Sequence, residues 1–165
     1  MPLSVVVMGV SGCGKSTVGT QLAKALGATF LDADDFHPPM NVERMRAGVA
    51  LSDAERAPWL DALSARLARA AQASESVVLA CSALKRSYRD ALRRGSPALT
   101  LVHLTGSSAL LAERITARPG HYMPPTLLPS QLATLETPQA DERAITLDVA
   151  AVTDELVATI LKQLP

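Results

Sequence analysis

Residues 3–8 read LSVVVM, a short, largely apolar run rich in β-branched side chains and without alternation, which predicts a strand buried on both faces. A glycine cluster follows at once. From Ser16 the apolar positions Val18, Leu22, Ala25 and Leu26 fall at i, i+4, i+7 and i+8, the stripe of an amphipathic helix, with Gly27 placed as its C-terminal cap. Residues 28–31 predict a second strand, ending in the acidic cluster Asp32-Ala33-Asp34-Asp35 and then Phe36-His37-Pro38-Pro39. A short helix over 41–47 stops at Gly48. Ser52 and Glu55 have the spacing of a capping box, which opens a longer helix toward residue 73, with Pro58 in early turns where a missing amide matters less.

Three more strands are predicted at 77–80, 99–104 and 145–149, separated by a helix through residues 88–92 and a helix capped by Ser107 or Ser108 that reaches about residue 117. Leu156, Ile160, Leu161 and Leu164 form the stripe of a closing helix. Between them, residues 118–129 carry Pro119, Gly120, Pro124, Pro125 and Pro129, which excludes regular helix or central strand and marks a surface flap, with a lid over about 114–137. Strands alternating with helices predict an α/β fold with a parallel sheet covered on both faces. Its ligands then sit at the carboxyl ends of the strands.

At 165 residues the chain reads as one domain, 1–165, and 48% apolar with 19% charged residues excludes a disordered or collagen-like class. Sixteen basic residues balance sixteen acidic ones, with no basic stripe, which argues against a nucleic-acid partner. No basic leader or membrane-length apolar run occurs, so no membrane partner and a cytoplasmic location are expected. Cys13 and Cys81 lack metal-ligand spacing and read as reduced thiols; their placement at strand ends predicts slow inactivation by oxidants.

The strongest chemical signal is Gly9-Val10-Ser11-Gly12-Cys13-Gly14-Lys15-Ser16, which matches GxxxxGK[ST] between a predicted strand and a predicted helix. Backbone amides there form an anion nest, Lys15 reaches the phosphates, and the Ser16 hydroxyl is a Mg²⁺ ligand. Asp32 and Asp34 project to one side if the segment is extended, one holding the metal and the other accepting a hydroxyl proton; a solvated acidic turn is the alternative. Arg114 and Arg118, at i and i+4 ahead of the flap, are either a phosphoryl clamp or a solvated helix face. Arg56, Lys85, Arg86 and Arg89 are candidates for an anionic substrate or for surface charge. His37 and His121 are substrate contacts or loop residues, while His103 and Trp59 read as core, His103 with its hydrogen bonds satisfied.

Residues 8–16 (MGVSGCGKS), 30–34 (FLDAD) with His37-Pro38, 41–45 (NVERM), 51–60 (LSDAERAPWL), 81–85 (CSALK) with Tyr88-Arg89, 120–123 (GHYM), 127–131 (LLPSQ), 134–138 (TLETP) and Asp141-Glu142 resemble the gluconokinases of the small P-loop type. The resemblance spans nearly the whole chain. It implies a three-layer α/β/α P-loop kinase fold similar to shikimate and nucleoside monophosphate kinases, with a five-stranded parallel sheet in order 2-3-1-4-5 and a mobile lid. It also implies phosphorylation of D-gluconate by ATP with Mg²⁺, and it is compatible with a homodimer. Carried onto this chain, Gly9 to Thr17 bind phosphates, Ser16 and Asp32 serve Mg²⁺, and Asp34 orients or deprotonates the acceptor hydroxyl. Arg56, Lys85, Arg89 and His37 become candidates for the gluconate carboxylate and hydroxyls, with Lys15, Arg114 and Arg118 at the transferring phosphoryl. Residues 141–143 then lie near the adenine. Asp35 and Leu132 depart from the family pattern, where a bulky apolar residue and Phe are frequent. A P-loop kinase for shikimate or a nucleoside monophosphate is the nearest rival; against a nucleotide-dependent switch, the chain has no Asp-x-x-Gly and no Asn-Lys-x-Asp.

Overall fold

The computed structural model describes residues 2–117 and 125–165; Arg118, His121 and the rest of the expected flap between them lie outside the described residues. Five strands, β1 (Ser4–Met8), β2 (Thr29–Asp32), β3 (Val77–Ala80), β4 (Thr100–Thr105) and β5 (Ile145–Asp148), form one sheet in the order β2-β3-β1-β4-β5 with every pairing parallel. The expected order is the observed one. β1 occupies the centre, its Val5 registered with Val78 on one side and Thr100 on the other, and Val5, Val6, Val7 and Met8 are fully buried. That accounts for an apolar run without alternation.

Two strands begin one residue later than their apolar runs suggest. Ala28 donates its N–H to the Ala23 carbonyl to finish the preceding helix, and Leu99 donates to Ser96 to close a turn, so each joins the ladder only at the next residue. The helices are α1 (Lys15–Leu26), α2 (Pro39–Arg46), α3 (Asp53–Gln72), α4 (Arg86–Gly95), α5 (Ser108–Thr116), α6 (Leu128–Thr134) and α7 (Thr153–Gln163), and they cover both faces of the sheet. Gly27 ends α1 at φ 64°, Ser52 and Glu55 cap α3 reciprocally at 3.1 and 2.9 Å, and Ser107 caps α5. α2 starts two residues ahead of its expected place because Pro39, which needs no donor, suits a first helical turn.

Three expectations are corrected here. Residues 128 and 129, expected to end an irregular flap, instead open α6 (Leu128–Thr134) within the expected lid range, since a proline in the first turn costs no hydrogen bond. In α7 the buried stripe is Leu156, Val157 and Ile160, whereas Leu161 points outward at 39% exposure. His103, in β4, is buried, yet its Nδ1 has no hydrogen-bond partner among the described residues, so it is not the satisfied core histidine expected. No helix among the described residues is long and apolar enough to cross a membrane.

α3 and α4 pack so closely that a Cβ at Gly95 would fall on the Ser64 carbonyl. This crossing sets how the two helix starts face each other, which matters below. Gly95→Ala is therefore expected to destabilise the protein by about 1–3 kcal/mol, through backbone that must move apart. Urea unfolding measures it; an unchanged midpoint would show that the helices give way freely.

Candidate active site

The parallel sheet delivers three strand ends to one edge. β1 runs into Gly9, β2 ends at Asp32, and β3 leads into Cys81 and Ser82, and the loop after β1 turns directly into α1. Gly14 caps α1 in the left-handed region at φ 87°, and Gly12 lies at φ 85° where a Cβ would also strike the Leu111 carbonyl. The loop thus directs main-chain amides and the positive end of α1 at one point. Lys15 folds over it, Nζ donating to the Val10 carbonyl at 3.2 Å, and forms no ion pair with a described residue.

Opposite the loop, Ser16 Oγ donates to Asp32 Oδ2 at 3.2 Å, while Asp32 Oδ1 accepts the Asp34 N–H at 3.0 Å. The segment is not extended, as expected from spacing, but a 3₁₀ turn over Ala33–Phe36 that Asp32 caps, and both carboxylates still line the cleft. Burial raises the Asp32 carboxyl above its ordinary range, against the opposing Asp34 amide and Ser16 hydroxyl. No group of three or more His, Cys, Asp or Glu side chains able to hold a metal occurs among the described residues. One hydroxyl and one half-buried carboxylate nevertheless fit Mg²⁺, which keeps water and phosphate oxygens for most of its ligands.

The cleft continues from the loop along Asp34, His37, Arg56 and Trp59 to Gln131. His37 stacks on Trp59 with ring centroids 4.2 Å apart, and Trp59 Nε1 donates to the Ala33 carbonyl at 2.7 Å, which pins the turn carrying Asp34. Asn41 Nδ2 donates to the Glu55 carbonyl at 3.0 Å and meets His37 Nδ1 at 3.4 Å. A carbonyl only accepts, so Asn41 presents its nitrogen and His37 keeps its own proton on Nε2. Burial lowers the His37 pKa to about 4, with Arg56 adding to the effect against Asp34, so the ring is neutral near pH 7. Arg56 Nη1 donates to the Leu51 carbonyl at 2.7 Å and to Tyr88 Oη at 2.9 Å. Gln131 grips the loop from α6: its Oε1 accepts the Ser11 N–H at 2.7 Å and its Nε2 donates to Ser11 Oγ at 3.1 Å.

A family model described as AAA domain matches residues 5–138. A gluconokinase of Gluconobacter oxydans (strain 621H) is 52% identical over 144 residues, covering 87% of this chain and 81% of that protein. The chain belongs to the gluconokinase family. Among solved structures, a gluconokinase from Sinorhizobium meliloti 1021 shares 49% identity at TM-score 0.87 over 98% of this chain and 90% of that one. A sugar kinase from Janibacter sp. HTCC2649 shares 43% at TM-score 0.94, over 98% and 94%.

Against this gluconokinase frame, several expected site residues lie elsewhere. Arg89 is buried and clasped by Glu142 at 2.7 and 3.0 Å, with its Nη1 on the Ala83 and Leu84 carbonyls, so its guanidinium has no edge left for a substrate. Glu142, held to about 2 against its burial by Arg89, the Gln139 amide and Arg93, and Asp141, paired with Arg86 at 2.6 Å, tie residues 141–142 to α4 rather than to a nucleotide pocket. Lys85 pairs with both Asp53 oxygens at 3.1 Å outside the cleft lining. Arg114 donates to the Val149 carbonyl at 2.7 Å and lines a second cavity with Cys13, Gly14, Thr17 and Thr153, on the other side of the phosphate loop from Asp34. Cys13 and Cys81 are both buried, and burial pushes the Cys81 thiol up to about 12, which removes the basis for ready oxidation of Cys81. Gln131 is a cleft residue that sequence reasoning passed over; Trp59, read as core, is buried as expected and also lines the cleft one turn on from Arg56, and Tyr88 holds Arg56 from outside the cleft lining.

The unfolded chain protonates His37 near pH 6.5, while the folded ring refuses the proton until about pH 4. Its stabilising contribution is therefore present above pH 6.5 and lost as pH falls toward 4, and His103, also lowered by burial, acts with the same sign. Unfolding midpoints measured across this window are expected to fall, less steeply in His37→Gln. Equal slopes in both proteins would remove His37 as a cause.

Proposed function

We propose that the protein transfers the γ-phosphoryl group of ATP to the terminal hydroxyl of D-gluconate, giving 6-phospho-D-gluconate and ADP. The observation that carries this reading is a single cleft in which the phosphate loop with Lys15 and the Ser16–Asp32 pair faces Asp34, His37 and Arg56, in a chain of the gluconokinase family. The amides from Gly9 to Thr17 and the Lys15 ammonium hold the triphosphate and counter its charge. Ser16 and Asp32 hold Mg²⁺, which when bound neutralises charge on the phosphate oxygens.

Asp34 takes the proton of the acceptor hydroxyl as that oxygen bonds to phosphorus and the bond to the bridging oxygen of ADP breaks. His37, neutral, offers Nε2–H to an acceptor hydroxyl, and Arg56 pairs with the carboxylate of the sugar acid. Arg114, in the second cavity beside Gly14 and Thr17, serves the nucleotide rather than the sugar acid. Both ligands are small molecules, and the homodimer that the resemblance allows is read out by sedimentation of the same preparation.

ADP release measured with Mg-ATP over gluconate, shikimate and nucleoside monophosphates is expected to depend on gluconate alone; turnover with another acceptor and none with gluconate would refute the assignment. Asp34→Asn is expected to lower kcat by about a hundredfold or more with the KM for ATP changed by less than about threefold. An unaltered kcat removes Asp34 from proton transfer.

A further inference from the structure

Two helix starts face each other beside the cleft. Asp53 opens α3 with Arg56 one turn on, and Lys85 precedes α4 with Tyr88 in its first turn. Arg56 Nη1 donates to Tyr88 Oη at 2.9 Å, Tyr88 O–H donates to Asp53 Oδ1 at 2.5 Å, and Lys85 Nζ donates to both Asp53 oxygens at 3.1 Å. A guanidinium only donates and a carboxylate only accepts, so the phenol has both roles assigned: acceptor toward Arg56, donor toward Asp53. Tyr88 is 4% exposed, and burial together with the Asp53 bond raises its pKa, so it remains a donor at neutral pH.

Asp53 and Arg56 stand at i and i+3 on α3, a spacing at which opposite charges commonly pair, yet they form no ion pair. Lys85 and Tyr88 occupy the Asp53 carboxylate instead. Arg56 is left with one nitrogen tied to the Leu51 carbonyl and Tyr88, while its Nε and Nη2 make no hydrogen bond to a described residue and its side chain lines the cleft. We propose that Tyr88 is a positioning residue for recognition of the acceptor's carboxylate: held by Asp53, it fixes the guanidinium plane of Arg56, while the Lys85–Asp53 pair keeps that guanidinium free of an internal acid. This deepens the assignment of Arg56 to the gluconate carboxylate and rests on it. Lys85 thereby acts on the substrate through Asp53, Tyr88 and Arg56 in turn, rather than touching it.

The test is a cycle of Tyr88→Phe, Arg56→Ala and the double variant, assayed for KM of gluconate, KM of ATP and kcat. Tyr88→Phe keeps the ring and its packing, and is expected to raise the KM for gluconate about tenfold, leaving the KM for ATP and kcat within about twofold. In the Arg56→Ala background the same change is expected to add nothing, because the residue it acts through is gone. Asp53→Asn is the second variant should Tyr88→Phe fold poorly, with the same rise in gluconate KM, again silent without Arg56. If Arg56→Ala leaves the gluconate KM unaltered, the carboxylate assignment falls and this inference with it. If Arg56→Ala raises it but Tyr88→Phe and Asp53→Asn do not, or if either adds an independent loss to the double variant, the positioning role alone is overturned.

Discussion

The hydrogen bond from Ser16 to Asp32 joins parts of the chain that the sheet itself keeps apart. Asp32 ends the edge strand β2, Ser16 belongs to the helix that follows the central strand β1, and β3 lies between those two strands. Adjacent strands are about 4.8 Å apart, so a carboxylate on β2 reaches the phosphate loop only because α1 starts above the carboxyl edge and leans toward β2 and β3. Everything in the cleft inherits its position from that arrangement. Asp34 follows because Asp32 caps its turn, and Trp59 locks the same turn from α3 through the Ala33 carbonyl.

Charge in this protein is arranged by partner rather than by amount. The chain is neutral overall, and its acids at the start of α3 and in residues 141–142 are consumed by Arg44, Lys85, Arg86, Arg89 and Arg93. Among the described residues that line the cleft, Lys15 and Arg56 are the cations, and neither forms an ion pair with a described acid. Stripping water from an unpaired cation is costly, and an anionic ligand recovers that cost. A cleft with two such cations and an anion nest is built for a reaction between two anions, one of which carries a proton acceptor's target.

Most of the architecture was legible because its signals are local. An apolar run without alternation, a glycine after a helical stripe and a Ser-x-x-Glu spacing each report on a few neighbouring residues, and β1, α1 and α3 formed where those signals placed them. The phosphate loop was legible for the same reason. Partner choice was not. Nothing near Arg89 in sequence says that Glu142, 53 residues away, will bury with it, nor does the neighbourhood of Lys85 point to Asp53. Arg56 in α3 and the basic residues after β3 therefore looked equivalent, and only the α3–α4 crossing separates Arg56, which lines the cleft, from Lys85 and Arg89, which do not. Gln131 was hidden for another reason: it fell within the expected lid, beyond the proline-rich flap, where no local pattern names a neighbour 120 residues away.

The double grip of Gln131 on Ser11 has a mechanical meaning. Oε1 and Nε2 of one amide are both engaged, on the main chain and the hydroxyl of the same loop residue, so the two segments share a hinge rather than a surface. Any displacement of α6 tugs at the Ser11 peptide of the loop after β1, and any rearrangement of that peptide is felt by α6.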